Sequence, residues 1–497
     1  MSKRTIIIGI IAVAILAVLA IVVIPQLIKP ERVTTAPYWP TQGWRTSTPE
    51  EQGLDSVKLA EMLQEIQKQN IQIDSLLIIR NGLVLLDAYF YNPYDGTYPH
   101  DMASVTKSVM TTLIGIAADQ GKIKLDQPML SYFPDRTIAN LDTRKEHVTV
   151  RHLAGMVNGF ESGCMADDMG TLDRMRSSSD WVQSALDRKM VQEPGKNFCY
   201  DSPGMHLLSA ILQESTGMTA LDFARQYLFG PLGIQEVIWE SDPQGYTHGW
   251  GDLHLKPHDA AKLGYLWLNM GVWDGIQIVS AAWVKDAVKP HTSAGGDDYG
   301  YGWWVSEDSY SASGRGGQKI AVVPTMSAIV VTTGSGFEYD DIDPYLNASV
   351  IDPTKPLPAN PAGVAQLEAA LTSLVKPPPP LPVGPLPEIA QAISVKTYVF
   401  EPNSVMLDSL RLEFNDPAEA IMYLRFQGND VIWRIGLDNK YRQSSDGSEM
   451  RGYWENDQTF VIEVFDVGLS TRQLTLTDDH VVVDAPGVRL EGQVENP

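Results

Sequence analysis

The sequence predicts a mixed α/β layer carrying an inserted helical lobe, followed by a small all-β domain. Three observations predict it. Strand-like and helix-like segments occur together at both ends of the first three-quarters of the chain, around a long middle stretch with helical spacing of apolar residues. A proline-rich run, KPPPPLPVGPLPEIAQ at 376–391, then interrupts the pattern, because prolines lack amide donors and favour extended geometry. Beyond that run the apolar period changes to two.

The elements follow in order. Residues 1–32 read as a signal anchor: Lys3 and Arg4 precede an uncharged segment at 5–28, and about 20 apolar residues cross a hydrocarbon core of about 30 Å. The positive start favours an inside N-terminus and an exported body, hence a single-pass protein of the cell membrane with its catalytic part outside the cytoplasm. A cleaved signal peptide is the alternative, but its apolar region is about 7–15 residues long and no small-x-small site follows Ile24. Residues 33–375 form the α/β unit. Within it, 56–69 has helical spacing, 75–90 is a hairpin turning at Asn81-Gly82, helices dominate to about residue 290, 318–334 holds two buried strands, and 362–375 is a closing helix. Residues 376–392 are the linker. Residues 393–497 hold seven or eight short strands between turn-rich pieces, which predicts a small antiparallel barrel or sandwich.

A chain of 497 residues is expected to hold at least two globular parts, and 44% hydrophobic residues supply their cores. A net charge of −23 without a basic run excludes nucleic acid as a partner. Two cysteines, Cys164 and Cys199, would lie on the exported side and form a possible disulfide contributing about 3 kcal/mol, with two buried free thiols as the alternative. Neither C-x-x-C nor H-E-x-x-H is present and the nine histidines are scattered, so no metal and no cofactor are expected.

The chemistry centres on ASVTKSVMTTLIGIA at 103–117, where Lys107 is the only charged side chain. Positions i and i+3 of a helix share a face, so the Ser104 hydroxyl and the Lys107 amine can meet. The spacing alone is weak, since Ser373 and Lys376 repeat it, but that lysine runs into four prolines. A helix that is apolar or small all round is buried, and an unpaired ammonium there costs several kcal/mol, so it loses its proton or finds a partner. Lys107 is therefore a candidate base for Ser104, with helix-start amides aimed at an oxyanion. Tyr200-Asp-Ser202, in a loop before a helix, offers a phenol for proton transfer. SGRGGQKIAVVP at 313–324 is a glycine-rich approach to a strand whose edge amides can bind a substrate backbone. Tyr345-Leu-Asn347 is a rival tyrosine element after the late strands. Trp250, Trp303 and Trp304 are candidate walls of an acyl pocket, while His254 and His258 are read as structural.

In this order, Ser104-x-x-Lys107, Tyr200-x-Ser202 and GRGGQ resemble the serine β-lactamase and penicillin-binding-protein superfamily, and most of all its class C β-lactamase-like branch of esterases, amide hydrolases and D-amino-acid peptidases. TVRHLAGMVNGF, PGKNFCYDSPG, YLFGPLGI, DAAKLGYLWLNMGVWDG and YGYGWW add to the likeness, which covers about residues 40 to 375. The resemblance implies that Ser104 is the acylated nucleophile, Lys107 its base and Tyr200 the proton relay. It aligns Ser202 with the last position of Y-x-N and Arg315-Gly316-Gly317 with K-T-G, and makes the amides of Ser104 and Gln318 the oxyanion hole. Two departures, serine for asparagine at 202 and no hydroxyl after Arg315, argue against efficient β-lactam hydrolysis. The expected function is a membrane-anchored serine hydrolase that cleaves an ester or amide in a small molecule or short peptide. A cell-wall D,D-peptidase or β-lactamase, and a catalytically silent sensor, are the alternatives. A Ser-His-Asp hydrolase is disfavoured by the lack of G-x-S-x-G.

Overall fold

The structure is a computed structural model. It describes residues 38–90, 94–162, 168–294, 297–374, 383–394, 396–403, 405–426, 428–444, 448–465, 469–485 and 488–495. The chain divides into Met1–Trp39, of which only residues 38 and 39 are described, and Pro40–Pro497, which holds everything below. The expected membrane segment at 5–28 lies outside the described residues, and among those described no helix is long and apolar enough to cross a membrane.

The hairpin expected at 75–90 forms as strands Ile73–Arg80 and Leu83–Tyr89, joined by Asn81 and Gly82 at φ 50° and 79°. Two successive positive φ values give the tight turn whose twist matches a hairpin, which is why Asn-Gly stands there. All eight residues of Ile73–Arg80 are buried, so this strand is central. Ala328–Gly334 pairs with it, followed outward by Gln318–Val323 and Tyr310–Gly314. Nine described strands make the sheet, antiparallel throughout except where Arg45–Thr46 runs parallel to the 83–89 strand.

Each face is covered by helices with an apolar stripe. Helix Ser56–Lys68, capped by the Asp55 carboxylate on the amides of Val57 and Lys58, buries Leu59, Met62, Leu63 and Ile66 beside Leu367 and Leu374 of helix Pro361–Leu374. Each such side chain contributes about 1.5–3 kcal/mol on burial. Helix Pro257–Leu268 lies against the other face, where a side chain at Gly264 would meet Ile320 and Ile329 at 2.8–2.9 Å. Helices Val105–Asp119 and Ser202–Thr216 pack together in the helical lobe.

After the linker, nine strands close into a barrel. The first strand, Thr397–Phe400, pairs with the last, Val488–Val494, and a bridge from Gly436 to Arg451 closes the far seam. Leu412, Met422, Ile435, Met450, Phe460, Ile462 and Val464 fill the interior. Short Arg442–Gln443 makes a tenth strand, so the count exceeds the seven or eight expected. The extra strands carry little periodic signal: 442–443 is two residues long, Glu449–Trp454 holds Gly452, and VRLEGQV at 488–494 buries only Gly492. Phe465 of the barrel packs its ring 5.4 Å from Tyr94 and 6.0 Å from Tyr98 of the α/β part.

Candidate active site

Helix Val105–Asp119 starts at Ser104, and thirteen of its residues are buried. A serine at this position ordinarily spends its hydroxyl on the first-turn amides, yet Ser104 makes no such cap. Lys107 Nζ instead donates to Ser104 Oγ at 2.8 Å and to the carbonyl of Trp250 at 2.8 Å. Lys107 is 2% exposed, so these two oxygens and the Tyr200 ring, 4.8 Å from Nζ to centroid, are its solvation.

The approach to Ser104 is tightly constrained. Ala103 sits at φ 45°, in a region non-glycine residues seldom occupy, held there by its amide on the Asp101 carboxylate at 2.7 Å. Strand Tyr310–Gly314 comes so close that a Cβ at Gly314 would lie 2.9 Å from the Ser104 nitrogen. The turn beyond it, Arg315–Gly317, places Gly316 and Gly317 at φ 82° and 94°. Gln318 opens the next strand opposite Gly314, and its side chain is tied to the carbonyl of Gly334 at 2.5 Å and the amide of Gly334 at 3.0 Å. That brings the Gln318 strand end alongside Ser104. The YGYGWW segment braces the helix from behind, with Ser108 Oγ donating to the Gly302 carbonyl at 2.5 Å and Thr111 Oγ1 to that of Tyr301 at 2.9 Å.

Tyr200 is half-buried and stacks on Trp304, centroids 6.4 Å apart at 15°. Burial holds the nearby Tyr299 phenol well above its ordinary range, and Tyr200 adds to the rise, so Tyr299 stays neutral. Between Tyr200 and Ser202, Asp201 is buried against Arg188, with bonds of 2.5 and 3.1 Å, and accepts from Asn158 at 2.9 Å. This paired and fully bonded carboxylate fixes the loop that presents Tyr200.

Ser104, Lys107, Tyr200, Trp304, the glycine turn and Gln318 therefore form one constellation. Other expected site residues stand apart from it. Trp303 is buried against Trp267 at 4.3 Å and Tyr310 at 5.4 Å, within the core. Ser202 is 2% exposed, and its amide and hydroxyl both donate to Asp168, at 2.8 and 2.7 Å. Arg315 is exposed. Trp250 contributes its carbonyl, while its ring stacks on His248 at 4.5 Å. His254 lies in a short strand and His258 bonds Asp87 at 2.9 Å. The hydroxyl of Tyr345 accepts from Gln69. Cys199 is disulfide-bonded; Cys164 lies outside the described residues. Sequence reasoning missed Asp168, Asp201, Arg188 and the Trp250 carbonyl, none of which belongs to a short motif containing Ser104.

A serine hydrolase built on an antiparallel sheet with a helical lobe is the class that this fold and site define. Residues 59–351 match the protein-family profile described as Beta-lactamase, and the chain belongs to that family. Among curated relatives, the 6-aminohexanoate-dimer hydrolase of Paenarthrobacter ureafaciens is 22% identical over 284 residues, covering 53% of this chain and 72% of that protein. Protein flp of Staphylococcus aureus (strain MW2) is 24% identical over 183 residues, 35% of this chain and 36% of that protein, so the match spans about a third of that relative. Among solved structures, EstCE1, a hydrolase with promiscuous acyltransferase activity, shares the fold with a TM-score of 0.51 at 17% identity, over 60% of this chain and 99% of its own.

Proposed function

We propose that this chain hydrolyses an ester or amide through an acyl-enzyme on Ser104. As the Ser104 Oγ bonds to the substrate carbonyl carbon, its proton passes to Lys107 Nζ, in its free-amine form for this step. The carbonyl becomes an oxyanion between the amides of Ser104 and Gln318. The alcohol or amine leaves with a proton relayed through Tyr200, and water then releases the acid by the reverse path. Trp304 and Tyr200 supply an apolar wall for the acyl group. The observation that carries the reading is the 2.8 Å contact from Lys107 Nζ to a serine hydroxyl left uncommitted at a helix start. The names of two of the proteins this chain is similar to, a 6-aminohexanoate-dimer hydrolase and a hydrolase with promiscuous acyltransferase activity, agree with it. As part of the same proposal, residues 5–28 anchor the protein in the cell membrane with the catalytic part outside the cytoplasm.

The test incubates the chain from about residue 33 with a fluorophosphonate and a fluorescent penicillin, with adducts located by mass spectrometry. Phosphonylation of Ser104, with loss of fluoride, and no penicillin adduct is the expected outcome. Penicillin labelling would move the assignment to a cell-wall D,D-peptidase or β-lactamase. Labelling by neither in folded protein would leave a sensor.

A further inference from the structure

The carbonyl that accepts from Lys107 Nζ at 2.8 Å belongs to the middle residue of Gly249-Trp250-Gly251. A free amine on a lysine has two N–H donors and one lone pair, and a carbonyl only accepts. With one N–H committed to Trp250, the amine cannot spin freely, and its lone pair rests on the Ser104 hydroxyl 2.8 Å away. Once the amine has taken the serine proton, the same carbonyl solvates the ammonium in a place where Lys107 is 2% exposed. The location of this one oxygen therefore matters on both sides of the step. Neither flanking glycine has a side chain to hold it. A Cβ at Gly249 would lie 2.1 Å from the Met205 carbonyl oxygen of helix Ser202–Thr216, and one at Gly251 would lie 3.9 Å from that of Ala103, so the segment is threaded between the lobe and the residue before the nucleophile. The anchor is the Trp250 ring, buried in a cluster of four. It stacks on His248 at 4.5 Å and 19°, packs 5.6 Å from Trp181 and meets His206 edge-on at 5.2 Å, while His248 also stacks on Trp181 at 5.0 Å. Trp181 and His206 stand on helices Trp181–Asp187 and Ser202–Thr216, and each histidine is tied to a carboxylate, His248 to Asp252 at 2.7 Å and His206 to Asp242 at 3.0 Å. The cluster is thus moored from outside residues 249–251.

We propose that Trp250 is a positioning residue for the catalytic lysine: its ring, clasped by His248, Trp181 and His206, sets the place of its own carbonyl and, through it, the aim of Lys107 at Ser104. Every residue carries a carbonyl, so the demand on position 250 is for the ring that fixes it. A glycine-flanked backbone shifts when its anchor is cut back, and a misplacement of about 1 Å in a catalytic group costs up to about 10²-fold in rate. The loss falls on the chemical step and spares substrate binding, because the ring acts through the lysine. The inference rests on the Ser104 acyl-enzyme reading and deepens it.

The test measures Ser104 labelling by an alkyl fluorophosphonate on the full chain in detergent at pH 8, as a limiting rate and a half-saturating concentration. Trp250→Leu is expected to lower the limiting rate about 10–100-fold and to leave the half-saturating concentration within about twofold of wild type. Trp250→Phe keeps a ring face for His248 and is expected to stay within about threefold of the wild-type rate. In a Lys107→Ala background, adding Trp250→Leu is expected to change the already low rate by less than about twofold, since the effect runs through the lysine. His248→Leu removes the stacking partner without altering residues 249–251 and should lower the limiting rate about 3–10-fold. It decides the matter if Trp250→Leu does not melt cooperatively. A limiting rate within about twofold of wild type in these leucine variants would overturn the proposal, as would a loss in the Lys107→Ala background as large as in wild type, which would make Trp250 a general packing residue. Absence of Ser104 labelling in the wild type removes the acyl-enzyme reading itself, and this inference with it.

Discussion

The α/β part and the barrel are both well packed, but they bury different things. In the α/β part the interior holds Lys107, Lys145, His100, His206, Asp74 and Asp201 at 5% exposure or less, whereas the only polar residues buried among the described residues of the barrel are Ser444 and Ser448. Barrel charges pair on the surface instead, as Arg489 does with Asp484 at 64% and 40% side-chain exposure. Buried charge is costly unless bonded, so the part that tolerates it is the part that uses it. Within the α/β part, two lysines refine the contrast. Lys145 is fully buried on the carbonyls of Ala139 and Leu186 at 2.8 and 2.9 Å, and burial pulls it down to about 8. It has no hydroxyl to activate and acts as a clamp. Lys107 differs in having one of its two oxygen partners on a serine.

That contrast can be broken at several points. The largest effect is expected for Ser104→Ala, which should lower ester hydrolysis by a factor of at least about 10³ while leaving the melting temperature nearly unchanged. An equal residual rate in a steady-state assay would show that the constellation is not the active site. Next, Arg188→Met leaves Asp201 buried and unpaired and should cost about 3–5 kcal/mol in urea unfolding. In the barrel, Ile462→Ala should cost about 2–5 kcal/mol through its cavity alone. The rate of Ser104 phosphonylation should stay at the wild-type value below the transition, and a slower rate would join the two regions functionally.

Smaller effects come from pH. Burial pulls the His100 imidazole down, but its 2.6 Å bond to Asp74 outweighs this and raises it above 6.5. Its stabilisation is therefore fully present below 6.5 and is lost as pH rises through the raised value. Burial lowers His206 below 6.5 despite Asp242 at 3.0 Å, so its effect has the opposite sign: stability falls as pH drops from 6.5 through the lowered value. Melting curves between pH 5 and 8 should show His100→Gln losing more stability at the acid end, and His206→Gln flattening the acid-side decline. The smallest effect belongs to Arg489→Ala on the barrel surface, within about 0.5 kcal/mol of wild type by urea unfolding.

How much of this was legible in the sequence follows from where the contacts reach. Ser104 and Lys107 lie one helical turn apart, so periodicity places them together, and the Asn81-Gly82 turn is equally local. Gln318 came from the family resemblance, and so did the relay role of Tyr200, which the sequence alone offered only as a phenol in a loop before a helix, because no local rule brings a strand end or a loop to a helix start. Asp168 and the Trp250 carbonyl escaped because they act across 34 residues to Ser202 and 143 to Lys107, and a backbone carbonyl has no sequence signature. Trp303 was misplaced as a pocket wall: it lies just before strand Trp304–Val305 and is taken up by the core against Trp267 and Tyr310, while Trp304 stacks on Tyr200.

The pairing of Tyr398 with Val494 brings the entry and exit of the barrel side by side. A ring whose two ends are neighbours can be joined there by a short peptide and reopened elsewhere, for instance between Leu437 and Lys440, without moving a core residue. The same adjacency lets it be carried as a cassette on a loop of a host protein, since both attachment points fall on one edge.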